Sequence, residues 1–365
     1  MGLQCGIVGL PNVGKSTLFN ALSKGKAEAA NYPFCTIDPN VGVITVPDNR
    51  LNVLYDLVKP QKLVPTIVEF VDIAGLVKGA SKGEGLGNKF LANIRQVDAI
   101  AHVIRCFVNE NIAHVPGKID PVTDKETIDT ELQLKDLETI DKRMGKSEKV
   151  ARYGDLKLKK EMEMLEKARE WLEKGNNIRS LPSLNEAENE LYRKDLQLLT
   201  SKPVIYVANV DESSLSGNEF VDRLKESLKN EYSEQIIICA SLEAQMAELE
   251  EGEKDMFLKE YHIAESGLEK LIKAAYHILD LITFFTAGEK EVRAWTIRKG
   301  WKAPQAAGVI HTDFEKGFIR AEVIKYADFL RFKSEMACRE AGKLAIEGKD
   351  YSIQDGDILH FRFNI

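Results

Sequence analysis

The chain contains no uninterrupted apolar stretch that approaches the roughly 20 residues needed to cross a membrane. It has no Cys-x-x-Cys pair, and its five cysteines are scattered along the sequence. An odd number of widely separated cysteines argues against a disulfide framework and against a zinc site. The first residues lack the basic segment of a secretory leader. We therefore expect a cytoplasmic protein with reduced thiols and no membrane partner.

An overall positive charge is also missing, since 50 basic residues oppose 57 acidic ones and the net charge is −7. Gross electrostatics therefore does not favour a nucleic-acid-binding protein. The charge is uneven, however, because residues 281–365 carry 14 basic and 12 acidic side chains. This small excess fits either a local contact with RNA or ordinary variation of a protein surface.

Gly9 to Ser16 reads Gly-Leu-Pro-Asn-Val-Gly-Lys-Ser, the G-x-x-x-x-G-K-S pattern of a phosphate-binding loop. An apolar run precedes it and a helical pattern follows, as the strand–loop–helix setting of such a loop requires. Its glycines let backbone N–H groups point at phosphate oxygens, and the helix adds the positive end of its dipole. Lys15 is predicted to reach the β- and γ-phosphates, and the Ser16 hydroxyl to ligate Mg²⁺.

A second motif, Asp72-Ile-Ala-Gly75, ends a predicted strand. An aspartate there holds Mg²⁺ through water, and the glycine N–H contacts the γ-phosphate. Thr36, between the two motifs, is the candidate for a second hydroxyl ligand of Mg²⁺. Further glycines follow Gly75, which is typical of a loop that senses the γ-phosphate. Together these residues predict a magnesium-dependent nucleotide switch.

The choice of base is normally set in such proteins by N-K-x-D after a later strand. Here the corresponding sequence, Asn209 to Glu212, is Asn-Val-Asp-Glu. Val210 replaces the lysine, and Glu212 carries its carboxylate one methylene beyond the place that the guanine edge needs. Asn209 is able to pair with adenine through N6 and N7, and a lost bidentate partner for guanine lowers selectivity for it. The pattern favours ATP over GTP and leaves a GTPase with a degenerate base motif as the alternative.

One further segment is expected to contact the base of the nucleotide. Ala240 and Ser241, which follow the next predicted strand, resemble the last base-contacting loop of this superfamily.

The position that orients the attacking water in Ras-type proteins holds Leu76 instead of glutamine. An apolar side chain cannot hold water, so hydrolysis needs another group. His114 is one candidate, as a general base in the loop after the strand that ends at Phe107, because such strand ends face the nucleotide. Asn12 is the other, because an asparagine in the phosphate loop can help to coordinate a monovalent cation such as K⁺. Lys15 completes the candidate catalytic set through its phosphate contact.

Three regions of different character follow one another along the chain. Short apolar runs alternate with helical patterns, which predicts an α/β domain with a mostly parallel sheet. From about 126 to 200 the spacing is helical and dense in charges of both signs, which predicts an inserted helical hairpin. The C-terminal part alternates apolar and polar residues, as half-buried strands do. We expect one domain over 1–280, with the hairpin at about 126–200, and a second over 281–365.

These motifs resemble those of one family, the Obg-like ATPases of the YchF type, over nearly the whole chain. The resemblance also rests on Asn31-Tyr-Pro-Phe-Cys-Thr36, Gly83-Glu-Gly-Leu-Gly-Asn-Lys-Phe-Leu91, Phe285-Thr-Ala-Gly288, and the runs His311 to Arg320 and Gln354 to Phe363. The two C-terminal runs are similar to a TGS domain, a small β-grasp-like module. The resemblance thus implies a P-loop Ras-like G domain, an inserted hairpin and a C-terminal TGS domain.

The resemblance also implies a function. It implies a ribosome-associated protein that hydrolyses ATP slowly and prefers ATP to GTP. Such a protein acts as a nucleotide-dependent switch in translation or stress regulation. It implies that the phosphates are wrapped by Asn12, Val13, Gly14, Lys15, Ser16 and Thr17. It implies that Ser16 and Thr36 ligate Mg²⁺, and that the adenine is bordered by Asn209, Val210 and Glu212. A basic groove for RNA between the hairpin and the TGS helices is a further implication. The rival from another class is an RNA- or ribosome-binding protein in which turnover is incidental.

Overall fold

The computed structural model describes residues 4–24, 40–73, 86–113, 117–151, 156–231 and 233–364. The chain divides into two compact units, each assembled from two stretches of sequence. The first unit combines Met1–Ile44 with Glu69–Ile278, and the second combines Thr45–Val68 with Leu279–Ile365. Among the described residues, none of the helices has the length and apolar character that a membrane span requires.

The strands of the described ranges are β1 (Gln4–Val8), β2 (Val41–Thr45), β3 (Lys62–Val64), β4 (Ile67–Asp72), β5 (Ala99–Arg105), β6 (Val204–Asn209), β7 (Glu234–Ile238), β8 (Leu281–Ala287), β9 (Glu291–Arg298), β10 (Phe318–Ile324), β11 (Leu344–Glu347) and β12 (Ile358–Phe363). The helices are α1 (Lys15–Lys24), α2 (Asn49–Val58), α3 (Leu86–Gln96), α4 (Pro121–Ala151), α5 (Leu156–Glu173), α6 (Glu186–Asn189), α7 (Glu219–Ser227), α8 (Ala240–Met246), α9 (Glu251–Glu260), α10 (Gly267–Ile278), α11 (Ala303–Ile310), α12 (Thr312–Lys316), α13 (Tyr326–Phe332) and α14 (Glu335–Glu340).

The first sheet has the order β2-β4-β1-β5-β6-β7. β1 pairs in parallel with β4 and β5, and β6 pairs in parallel with β5 and β7. All residues of β5 and β6 are buried, as expected for central strands covered on both faces. The prediction of an α/β fold with a mostly parallel sheet is confirmed. Because parallel strands share a direction, the segments that follow β1, β4, β5, β6 and β7 leave the sheet at one edge.

The inserted helices α4 and α5 lie where the sequence predicts a hairpin. α4 begins at Pro121, before the expected start at about 126, because proline suits the first position of a helix. The side chain of Asp120 accepts a hydrogen bond from the Val122 N–H at 3.2 Å and so supports this start. An apolar core that includes Ile140, Leu165 and Leu172 joins the two helices.

A buried network of charges anchors the base of this insertion to β6. Asp129 of α4 accepts hydrogen bonds from Lys125 at 2.8 Å and from Arg179 at 3.0 Å. Glu231 accepts from Arg179 at 3.1 Å and from the Tyr206 hydroxyl at 2.9 Å. Burial raises the pKa of Asp129, but Arg179 and Lys125 outweigh it and hold that pKa at about 2. Each of these charged groups therefore needs its partners, because they compensate for the hydration that the group loses when it is buried.

The second sheet has the order β11-β10-β12-β8-β9-β3 and mixes both directions. β10 is antiparallel to β11 and β12, and β8 to β9, whereas β12–β8 and β3–β9 are parallel. One apolar cluster includes Phe284, Ala306 and Phe361, and another includes Leu54 of α2 and Phe329 of α13. The C-terminal part is thus an α+β unit rich in strands, as predicted.

The boundary between the units differs from the expected single division at residue 280. Residues 45–68, expected in the first domain, belong to the second unit. The reason is that β3 extends the second sheet beside β9, while Leu51 and Leu54 of α2 are buried in its core. Local sequence pattern does not reveal such a pairing, because its partner lies more than 200 residues away.

We predict that Arg179→Met destabilises the first unit by about 3 kcal/mol or more, because it leaves Asp129 and Glu231 buried with one cation fewer. Urea unfolding at pH 7 measures this free energy. Lys229→Met is the matched control, since Lys229 is exposed and pairs with Glu226 three residues away; its expected cost is under about 1 kcal/mol. Equal losses in the two variants would show that the buried network adds nothing to stability.

Candidate nucleotide-binding site

The phosphate-loop motif connects β1 to α1 at the edge where the parallel strands end. Two of its glycines have backbone angles that other residues rarely adopt, with φ of 156° at Gly9 and 99° at Gly14. A Cβ on Gly9 would lie 2.4 Å from the carbonyl oxygen of Val103, and one on Gly14 would lie 2.2 Å from Nδ2 of Asn209. Both positions therefore require glycine, because any other residue would strain the backbone and its Cβ would collide with a neighbouring atom.

Asn12 lies exposed in this loop, with a φ of 62° that asparagine tolerates better than most residues. Its Nδ2 donates a hydrogen bond to the carbonyl oxygen of Ala113 at 3.1 Å. The loop is thus tied to the segment that follows β5. His114, the next residue, lies outside the described residues.

Lys15 and Asp72 form the polar floor of the phosphate end. Lys15 is buried, and its Nζ donates to the carbonyl oxygen of Leu10 at 3.1 Å. Burial lowers the pKa of Lys15, and the nearby Asp72 carboxylate opposes this shift. Burial likewise raises the pKa of Asp72, and Lys15 opposes it. Two opposite charges held close together with little water are suited to receive a metal ion and a polyphosphate.

Asp72 carries an oxygen atom that suits a hydrated Mg²⁺ ion. Its Oδ1 is buried and has no hydrogen-bond partner among the described residues. Such an orphaned oxygen is costly unless a water molecule or a metal-bound water satisfies it. The hydroxyl of Ser16, exposed at the start of α1, supplies an oxygen ligand of the kind Mg²⁺ prefers. These residues fit the ion.

A cavity of about 600 Å³ opens beside the loop, within the usual range for a small-molecule site. It is lined by Asn12, Gly14 and Thr17 and by three segments that follow β5, β6 and β7. These segments contribute residues from 107–112, 209–213 and 240–241. The cavity is thus built at the carboxyl edge of the sheet, where ligands of open parallel sheets bind.

Asn209 braces these segments against the phosphate loop. Its Nδ2 donates to the carbonyl oxygen of Val13 at 2.8 Å, and its Oδ1 accepts from the Ala240 N–H at 3.0 Å. One N–H and one lone pair of the amide are therefore committed within the protein. Asn209 has a structural role that its motif alone does not reveal.

The two departures from N-K-x-D occupy different environments. Val210 is buried, with 2% of its surface exposed, although it lines the cavity. Glu212 begins a short 3₁₀ turn, Glu212–Ser214, and is exposed at the rim of the cavity. The cavity therefore presents the apolar side chain of Val210 where guanine-binding proteins carry lysine, together with the exposed carboxylate of Glu212.

The structure brings most of the predicted site residues together. The cavity is lined by Asn12, Gly14, Thr17, Asn209, Val210, Glu212, Ala240 and Ser241. Val13, Lys15, Ser16 and Asp72 lie at or beside the phosphate end. Thr36, Gly75 and His114 lie outside the described residues, so their roles stay predictions.

Sequence reasoning missed the wall formed by Phe107, Val108, Asn109 and Ile112. The available signal was the pair of apolar residues Val108 and Ile112 within an otherwise polar loop. In the structure they are 65% and 36% exposed, and both line the cavity.

Two family models match the chain. One, MMR_HSR1, is described as a 50S ribosome-binding GTPase and matches residues 4–146. The other, YchF-GTPase_C, is described as a protein of unknown function and matches residues 281–364.

Several curated relatives match the chain from end to end. Proteins named ribosome-binding ATPase YchF are 56% identical in Bacillus subtilis, 57% in Haemophilus ducreyi and 54% in Escherichia coli O157:H7. In each case 100% of both chains is covered.

Two solved structures are also similar to this chain. The YchF GTPase of Schizosaccharomyces pombe has a TM-score of 0.90 and 42% identity, and covers 99% of this chain and 98% of its own. A GTP-binding protein of Pyrococcus horikoshii, with a TM-score of 0.60 and 20% identity, shares the fold. The names disagree on the nucleotide, ATP for the bacterial relatives and GTP for the yeast structure.

We predict that Gly14→Ala weakens binding of Mg·ATP by more than about tenfold, because the new Cβ would collide with Asn209 in a strained backbone conformation. Isothermal titration calorimetry measures the dissociation constant. Gly145→Ala is the matched control, since Gly145 lies inside α4 with open space around it. It should leave affinity unchanged and stabilise the helix by about 0.5–1 kcal/mol. Wild-type affinity in Gly14→Ala would contradict the close packing described here.

Proposed function

Because the chain belongs to the YchF family, at 54–57% identity to curated members over its full length, we propose that it is a ribosome-associated ATPase. It binds ATP with Mg²⁺, hydrolyses it slowly and serves as a nucleotide-dependent switch in translation or stress regulation. The observation that carries the proposal is the cavity in which a phosphate loop meets three segments from the strand ends. The cytoplasm is the proposed location.

At the phosphate end, the chain supplies charge and oriented donors. Asn12 to Thr17 wrap the phosphates, Gly75 donates its N–H to the γ-phosphate, and Lys15 neutralises charge on the β- and γ-oxygens. Mg²⁺, when bound, supplies further positive charge where the transferred phosphoryl group becomes more negative. Ser16 and Thr36 are the proposed direct ligands, and Asp72 holds the ion through water. Because Lys15 is buried, little water screens its charge from the phosphates.

At the base end, the cavity favours adenine over guanine. Guanine recognition requires a carboxylate facing N1–H and the 2-amino group, but Glu212 lies exposed at the rim. The buried Val210 offers only apolar contact. Asn209, Ala240 and Ser241 border the same space. GTP is therefore the weaker ligand, and a GTPase is the rival function, because the yeast relative is named a GTPase.

The attacking water needs a group that Leu76 cannot provide. His114 is the first candidate, as the general base, and Asn12 is the alternative, as a ligand of K⁺ that adds positive charge beside the phosphates. The hydrogen bond from Asn12 to Ala113 supports a role for this loop, because it ties the phosphate loop to the residue that precedes His114. A positioned general base typically accelerates a reaction by roughly 10²–10⁴-fold.

The ribosome is the proposed partner because the bacterial relatives carry it in their names. RNA is the proposed point of contact. On the second unit Arg320, Arg339 and Arg362 gather around the buried carboxylate of Glu322, and their side chains are 44–58% exposed. Guanidinium groups held in this way are suited to contact phosphate oxygens.

The proposal predicts that ATP binds more tightly than GTP, and that ribosomes and K⁺ accelerate its slow hydrolysis. Lys15→Ala should abolish turnover while leaving the thermal midpoint near that of the wild type, because Lys15 acts on the phosphates. Affinities and phosphate release, measured with and without ribosomes in K⁺ and in Na⁺, test this. Lys24→Ala is the control, since Lys24 is an exposed lysine of the same helix. Normal hydrolysis by Lys15→Ala would refute the phosphate-loop assignment.

Base choice has its own test. We predict that Val210→Lys combined with Glu212→Asp shifts the ratio of ATP to GTP affinity by about tenfold or more towards GTP, because it restores N-K-x-D. Conversion should be incomplete, since the rest of the cavity is unchanged. Ser213→Ala, another change at the cavity lining, should keep the wild-type ratio. A double variant with an unaltered ratio would mean that base choice resides elsewhere.

A further inference from the structure

Arg105, the last residue of β5, is almost completely buried, with 1% of its surface exposed. Its guanidinium donates to three carbonyl oxygens of the segment that follows. Nε reaches Phe107 at 3.1 Å, Nη2 reaches Asn109 at 3.0 Å, and Nη1 reaches Ile112 at 3.0 Å. Its Cζ also lies 4.7 Å from the centre of the Phe107 ring. One side chain thus holds three points of a six-residue segment.

Arginine is specifically suited to this task. The segment 107–112 has no strand or helix to pair its carbonyl groups, and the buried guanidinium of Arg105 needs acceptors, which these carbonyls supply. A planar guanidinium offers five donors in a fixed fork, whereas lysine offers three donors at one point. Burial lowers the pKa of Arg105 and Asp124 opposes that shift, but the group stays charged and its bonds are charge-assisted.

The segment that Arg105 holds is the wall of the nucleotide cavity. Phe107, Val108, Asn109 and Ile112 all line it. Arg105 stands opposite Asn209 in the register of β5 and β6. The two residues therefore anchor neighbouring parts of the site, because Asn209 fixes the phosphate loop while Arg105 fixes the wall.

We propose that Arg105 is a positioning residue for nucleotide binding, which holds the wall 107–112 in its binding shape before the nucleotide arrives. The inference rests on the proposed function and adds a residue to it. Its hydrogen bonds with the wall are all to backbone carbonyls, so its loss changes the shape of the wall without removing any of the wall's side chains. If the binding-competent shape falls to roughly 1–10% of molecules, the apparent dissociation constant rises by about 10- to 100-fold.

The test compares a ligand that contains the base with one that lacks it. Arg105→Met and Arg105→Lys are titrated with Mg·ATP and with Mg·tripolyphosphate. ATP affinity should fall about 10- to 100-fold in Arg105→Met and also fall in Arg105→Lys, since one ammonium cannot reach three carbonyls. Tripolyphosphate affinity should stay within about twofold, because the phosphate loop is untouched. Glu110→Gln, an exposed change in the same segment outside the cavity lining, should bind both ligands normally.

Hydrogen exchange measures the order of the wall directly, without a ligand. In the nucleotide-free wild type, the Ile112 amide, which donates to Asn109 at 3.2 Å, should already be protected, and this protection should be lost in both Arg105 variants. ATP affinity unchanged by Arg105→Met or Arg105→Lys would overturn the inference. An equal loss for ATP and tripolyphosphate would do the same, since it would indicate a general defect. A wild type that binds neither ligand would refute the proposed function itself.

Discussion

The side-chain amide of Asn209 is the contact on which the site depends. It joins the carbonyl oxygen of Val13 in the phosphate loop to the backbone N–H of Ala240, so three strand-end segments meet at one residue. The contact requires that Gly14 has no Cβ, because an added Cβ would lie 2.2 Å from Nδ2. A residue first singled out for base recognition thus also sets the shape of the loop that receives the phosphates.

Burial makes this shape useful for chemistry. Lys15 and Asp72 each oppose the pKa shift that burial causes in the other, and the buried Oδ1 of Asp72, which has no partner among the described residues, suits a metal-bound water. On the other side, Arg105 satisfies the carbonyls of a wall that has no regular structure. The site is therefore held largely by side chains that bond to backbone groups, which leaves its surface free for ligand.

Each of the two units also contains side chains that stabilise its own structure. At the base of α4, Asp129 and Glu231 pair with Arg179 and so stabilise the insertion. The second unit recruits residues 45–68 as an edge strand and a covering helix. Its arginines Arg320, Arg339 and Arg362 pair with the buried carboxylate of Glu322 and keep about half of their side-chain surface exposed.

The sequence by itself determined the nature of the site. The phosphate loop, the D-x-x-G aspartate and the replaced N-K-x-D motif are local patterns, in which residue type and spacing state the chemistry. The α/β fold followed in the same way from alternating apolar runs and helical patterns. Only the tertiary structure decided that 45–68 complete the second sheet, that Asn209 braces the phosphate loop, and that Arg105 holds the wall at 107–112. These depend on contacts between residues distant in the chain, or on which carbonyls an irregular segment turns inward, and neither leaves a periodic signal in the sequence.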